Sequence, residues 1–171
     1  MTYPCAYSPS PDATLEEAQE NKYRLIFDKL RLKEGDRHLD VGCGWGGMVR
    51  YAAKRGVKSL GVTLSKEQAE WGQAKIKEEG LEDLAEIRFM DYRDVSEEGF
   101  DAISAIGLLE HIGVKNYPAF FSFLNGKLKP GGLMLNHCIT YPDNHKTPKG
   151  GFIDRYIFPD GELSGSGTIT K

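Results

Sequence analysis

The residues suited to chemistry are thinly spread along the chain. Asp40 stands inside an apolar stretch, HLDV, just before Gly42-Cys43-Gly44-Trp45-Gly46-Gly47. A carboxylate is costly to bury without a partner, so its place here predicts a cationic neighbour such as an ammonium group. Glycines let the backbone come close to a ligand, and a helix opening behind them would add donors. Read from Gly42, the turn formally completes G-x-G-x-x-G at Gly47. The alternative is a tight strand-to-helix corner with no ligand. A dinucleotide site would also carry an acid about 20 residues on, for the ribose hydroxyls. Here the next apolar stretch ends in VTLS, with Thr63 and Ser65 and no acid. That argues against NAD and for another adenosine ligand.

Four other positions carry reactive groups, each with a plain reading beside the chemical one. Cys5 lies in a proline-rich loop and can simply pack. Glu110 and His111 are adjacent, so one of them can face a site while the other is solvated at a helix start. His137 sits near the end of an apolar strand, where a satisfied core histidine is ordinary. A carboxylate, an imidazole and a thiol brought together could exchange protons with a bound group. Ser65 and Gln68 match a capping box, and Trp45 and Tyr92 suit a core or a cavity wall. Cys5, Cys43, Cys138, His111 and His137 include no C-x-x-C or H-E-x-x-H spacing, so no metal site is expected.

The elements that must position these groups alternate. TLEE offers a capping box from Thr14 to Glu17, opening a helix over 14–33. Strands follow at 37–42, 59–63, 85–90, 100–106 and 133–140, with helices at 46–56, 65–80 and 117–128 and a KPGG turn after the last. This order predicts an α/β fold with a doubly wound, mainly parallel sheet, whose ligands bind along the strand C-termini. The 171 residues suit one domain: a loop over 1–13, a core over 14–140 and a changed pattern over 141–171 that ends in a loose polar tail. A net charge of −3 with no basic tract argues against nucleic acid. Three cysteines without a framework, no membrane-length apolar run and no signal peptide predict the cytoplasm.

The stretches together resemble a known family. LDVGCGWGG is similar to the S-adenosylmethionine (SAM) loop of Rossmann-like class I methyltransferases. YPCAY, TLEEAQ, GVTLSKEQ, DYRD, EHIG, LKPGG and FIDRYIFPDGEL, in that order, resemble the cyclopropane-fatty-acyl-phospholipid synthases, including the mycolic acid cyclopropane synthases. The resemblance implies that Tyr3 and Pro4 lie beside SAM and that Gly42 and Gly44 surround its methionine part. It implies that Thr63, Leu64 and Gln68 hold the ribose and amino-acid portion. Asp91 and Tyr92 would then flank the adenine, and Ile106 and Gly107 would lie beneath the sulfonium. The implied reaction moves the methyl of SAM to the cis double bond of an unsaturated acyl lipid, after which loss of a proton closes a cyclopropane. A bound bicarbonate is the implied base, held by Cys5, Glu110, His137 and the backbone of Ile139. The implied partner is that lipid, met through peripheral contact with a membrane. Related olefin C-methyltransferases that leave the ring open, and a SAM-binding fragment without turnover, are the alternatives.

The chain departs from the family pattern at both ends. Pro4 replaces the serine of YSCAYF, which removes a hydroxyl and a backbone donor. Ser8 stands where an aromatic residue is common, and GELSGSG lacks the usual proline. The family also has a helical segment before the YPCAY position and continues well beyond YIFPDGEL, with more of the acyl tunnel and a tyrosine that also contacts the bicarbonate. The expectation is a chain truncated at both ends, with its sheet incomplete at the C-terminus and its lipid site poorly closed.

Overall fold

The computed structural model describes residues 5–143, 152, 155–156 and 161–170. Helix α1 (Leu15–Lys29) opens on the capping box expected from TLEE: the Thr14 hydroxyl accepts from the Glu17 amide, and the Glu17 carboxylate accepts from the Thr14 amide. It stops four residues sooner than the expected 33. Leu30 closes its last turn, and Arg31 adopts a φ of 53°, which no helix continues through.

From there strands and helices alternate: β1 (Arg37–Val41), α2 (Gly47–Ala53), β2 (Lys58–Thr63), α3 (Lys66–Glu78), β3 (Ala85–Phe89), β4 (Phe100–Ile106), α4 (Tyr117–Lys127) and β5 (Leu128–His137). The sheet order is β3-β2-β1-β4-β5, and every pairing is parallel. The chain builds outward from β1 through β2 to β3, then returns to place β4 on the other side of β1. That reversal opens a crevice between β1 and β4 at the strand C-termini.

The two sheet faces are covered differently. Leu39, Val41, Val62, Ile103 and Ala105 pack against Phe120 and Leu124 of α4. On the opposite face, Ala102 meets Met48, Tyr51 and Ala52 of α2 and Ile26 of α1. Burying Phe120 or Leu124 contributes about 2–3 kcal/mol each, which fixes α4 across β1 and β4.

Strand β5 begins at Leu128 rather than at 133, and it ends at His137 rather than at 140. KPGG is therefore part of the strand. Phe100 pairs with Leu128, but Ala102 pairs with Leu133, so Lys129–Gly132 is a bulge, with Gly131 at a φ of 80°. Three short 3₁₀ turns, at Tyr92–Asp94, Leu109–His111 and Val114–Asn116, fill the loops above the sheet. The polar tail is less loose than its composition suggests. Tyr141 bridges to Gly165, a short helix α5 (Ser166–Ile169) follows, and Ile169 joins the core around α4. No helix among the described residues is long and apolar enough to cross a membrane.

Candidate active site

The crevice between β1 and β4 opens into a cavity of about 770 Å³. Its floor is the turn after β1. The Gly42 and Cys43 amides both donate to the Val62 carbonyl, at 2.9 and 3.0 Å, which folds the turn back over β2. Gly44 has a φ of 55° and open space where a Cβ would stand, so the backbone itself lines the cavity there. Gly46 caps α2 at a φ of 71°, and a Cβ on it would collide with Ile87. The turn is thus both a tight corner and a cavity wall.

Asp40 lies below this turn, 2% exposed and lining the cavity. Burial raises its carboxyl to about 7, while a hydrogen bond from Ser104 and the charge of Lys22 pull it down. Lys22 lines the same cavity from α1; burial lowers its pKa, and Asp40 counters that. Burial also pushes the Cys43 thiol well up, so it stays neutral. The partner that a buried Asp40 requires is thus partly supplied within the protein.

The second wall comes from β2 and the start of α3. The Thr63 hydroxyl donates to Gln68 Oε1 at 2.9 Å, and the Ser65 hydroxyl accepts from the Gln68 amide at 3.3 Å. Only half of the expected capping box forms, because the Gln68 side chain reaches Thr63 instead of the Ser65 backbone. The cap leaves Gln68 free to line the cavity beside Thr63 and Leu64.

Opposite, Asp91 accepts from the Arg93 amide at 2.9 Å and from its guanidinium at 2.7 Å. The Arg93 side chain holds the Asp91 carboxyl below its ordinary value. Tyr92 stands edge-on to Phe120 and Phe123, with centroids 5.3 and 5.7 Å apart, so its ring is a fixed wall. Ile106 and Gly107 close the β4 side, and the Gly107 amide donates to the His137 carbonyl at 2.8 Å.

Asp40, Gly42, Gly44, Thr63, Leu64, Gln68, Asp91, Tyr92, Ile106 and Gly107 therefore all line one cavity. Tyr3 and Pro4 lie outside the described residues. The other four sequence candidates do not line it. Glu110 is 2% exposed; its Oε1 accepts from the Ile139 amide at 2.7 Å, and its Oε2 is buried with no partner among the described residues. Glu110 and Ile139 are thus brought together, while Cys5 and His137 are exposed. The apolar strand does not bury His137, which falls at the last position of β5. His111, not Glu110, is the member of its pair that faces the cavity.

Sequence reading missed Lys22 and Asn116 as cavity residues, and the resemblance took Glu110 rather than His111 from that pair. Lys22 had a signal: Ala18, Lys22 and Ile26 fall four apart on the buried face of α1, where a lysine is out of place. The other two sit in short turns with no periodicity to read.

Three comparisons place this arrangement among known proteins. A probable fatty acid methyltransferase of Mycobacterium tuberculosis is 69% identical across 99% of this chain. The cyclopropane-fatty-acyl-phospholipid synthase of Escherichia coli K12 is 43% identical across 95% of it. The chain spans 40% and 41% of the length of those two relatives. A mycolic acid cyclopropane synthase solved with SAH and CTAB superposes with a TM-score of 0.85 at 36% identity, covering 99% of this chain and 64% of that one. The fold is that of the class I SAM methyltransferases. With the mycolic acid cyclopropane synthetase family model matching residues 1–171, this chain belongs to that family.

Proposed function

We propose that this chain binds SAM in the cavity between β1 and β4 and transfers its methyl to the cis double bond of an unsaturated fatty acyl chain. A cyclopropane then closes with bicarbonate as the base. The observation that carries the reading is the cavity floor, where Asp40 and Lys22 present opposite charges beside a glycine turn. A zwitterionic amino-acid end fits there, its ammonium on Asp40 and its carboxylate on Lys22. Thr63 and Gln68 offer a hydroxyl and an amide to a ribose, and the Tyr92 ring offers a flat wall to a base. SAM supplies an electrophilic methyl on sulfur. The protein's part would be to hold that cofactor by its polar ends and to exclude water with the apolar cavity residues Ile106, Leu108 and Ile112.

Bicarbonate fits in part. The orphaned Glu110 Oε2 suits the acceptor of its hydroxyl, but the Ile139 amide is already given to Oε1. Cys5 and His137, exposed here, favour a second reading: a chain that binds SAM with little turnover.

Calorimetry with SAM tests the binding, and no heat at millimolar cofactor would remove the reading. Incubation with SAM and unsaturated phospholipid vesicles, followed by mass spectrometry of the acyl chains, separates the outcomes. A gained CH₂ with loss of the double bond supports cyclopropanation; a gained CH₂ with the double bond kept, or added oxygen, supports the related methyltransferases; and unchanged lipid with intact SAM binding supports the second reading.

A further inference from the structure

Beneath the cavity, four polar side chains run through an apolar layer. His38 is fully buried, with Nδ1 2.8 Å from Ser59 Oγ and Nε2 2.9 Å from Ser104 Oγ. The Ser104 hydroxyl donates in turn to Asp40 Oδ1. Strand register produces the line. His38 pairs with Ser59 and Asp40 with Ser104, and positions 38 and 40 share one face of β1. His38 and Ser104 are wholly buried and Ser59 is 2% exposed, so each of these three side chains depends on its protein partner.

We propose that His38 and Ser104 are positioning residues for the cofactor: a one-way chain, Ser59 to His38 to Ser104 to Asp40, holds the Asp40 carboxylate ionised and oriented for the ammonium group. This rests on the SAM reading of the cavity. The direction follows from proton counting. An ionised carboxylate only accepts, so the single hydroxyl proton of Ser104 must go to Asp40. Ser104 must then accept from His38, which places the ring proton on Nε2 and leaves Nδ1 to accept from Ser59. When Asp40 takes a proton the constraint is gone, and the whole chain can reverse.

The charged and titratable groups around Asp40 allow this. Lys22 and Tyr23 face the cavity from α1 and Cys43 from the turn, while His38 on β1 and Ser104 on β4 approach Asp40 from beneath it. Gly61 stands opposite Asp40 on β2 and Met48 comes from α2, and neither titrates. Burial lowers His38 to about 3, so its ring stays neutral while Asp40 titrates near 7.

The test is ¹⁵N NMR of the chain with ring-labelled histidine, from about pH 6 to 8.5, with His38→Gln to assign the signal. The expected result is a neutral His38 protonated on Nε2 at high pH that moves toward the other tautomer as pH falls through 7. Saturating S-adenosylhomocysteine should displace that change downward by about one pH unit or more. In parallel, Ser104→Ala should weaken S-adenosylhomocysteine about five-fold at pH 7 and less than about two-fold at pH 8.5, as expected for a one-unit rise in the Asp40 midpoint. Ser104→Thr, which keeps the hydroxyl, should restore the wild-type profile. A tautomer fixed across the pH range, or a Ser104→Ala loss equal at every pH, overturns the proposal. A titrating tautomer with no S-adenosylhomocysteine binding would instead overturn the cofactor reading and leave the chain of hydrogen bonds standing.

Discussion

Asp40 gathers the tension of this site in one residue. Its native carboxyl is raised from 3.8 to about 7 by burial. Between those values the native state holds a proton that the unfolded chain has released, so this group makes the fold less stable as pH rises through that window. Lys22 and Ser104 offset the cost only in part, and a bound cation would offset the rest. Asp40→Asn removes the ionisation while keeping the shape. It should raise the stability of the ligand-free chain, with a gain about 2.5 kcal/mol larger at pH 8 than at pH 5, measured by urea unfolding at both. The same variant should bind S-adenosylhomocysteine at least about ten-fold more weakly, since it leaves the ammonium without its counter-charge. A pH-independent change in stability would mean that Asp40 is not the group titrating near 7.

At the scale of elements, the site depends on how β1 turns into α2. Gly46 caps α2 in the left-handed region, and a side chain there meets Ile87 on β3. Gly46→Ala should cost about 1–3 kcal/mol and weaken cofactor binding together, because the strain falls on the turn that floors the cavity. Denaturant unfolding beside calorimetry would show both losses; a stable variant with intact binding would mean the turn has slack. Ser65→Ala is the contrasting case, costing about 1 kcal/mol as a lost cap on α3. These devices are local, and that is why they were legible. Strand periodicity, the TLEE and Ser65 caps and the glycine turn all act within a few residues, so β1 to β4 and the helix starts follow from the sequence. The start of β5 does not, because only its pairing with β4 draws Lys129–Gly132 into a bulged strand. The meeting of Glu110 with the Ile139 amide, 29 residues away, was legible only through the family resemblance, because no spacing encodes that contact.

Across the whole molecule, the last described segment holds the cavity's upper rim. His111, Ile112 and Asn116 line the cavity from two short turns that have little internal support. Glu162 ties both turns from outside. Its amide donates to the Glu110 carbonyl at 2.8 Å, and its carboxylate accepts from the Val114 amide at 3.0 Å. Ser164 adds a contact to the Tyr117 hydroxyl at 3.3 Å, at the foot of α4. A hydrogen bond to a charged acceptor is worth about 1.5–3 kcal/mol, and local opening of the turn would forfeit it. Glu162→Ala should therefore speed hydrogen exchange of the Val114 amide by about ten- to one-hundred-fold, while amides in β1 and β4 keep their protection. The rim would then spend more time open, so S-adenosylhomocysteine affinity should fall by a smaller factor, about two- to five-fold, in proportion to the closed fraction. Val114 exchange unchanged in the variant would show that the 3₁₀ turns stand without the tail. Faster exchange with full affinity would show that the rim can open without disturbing the charged floor on which Asp40 and Lys22 meet the ligand.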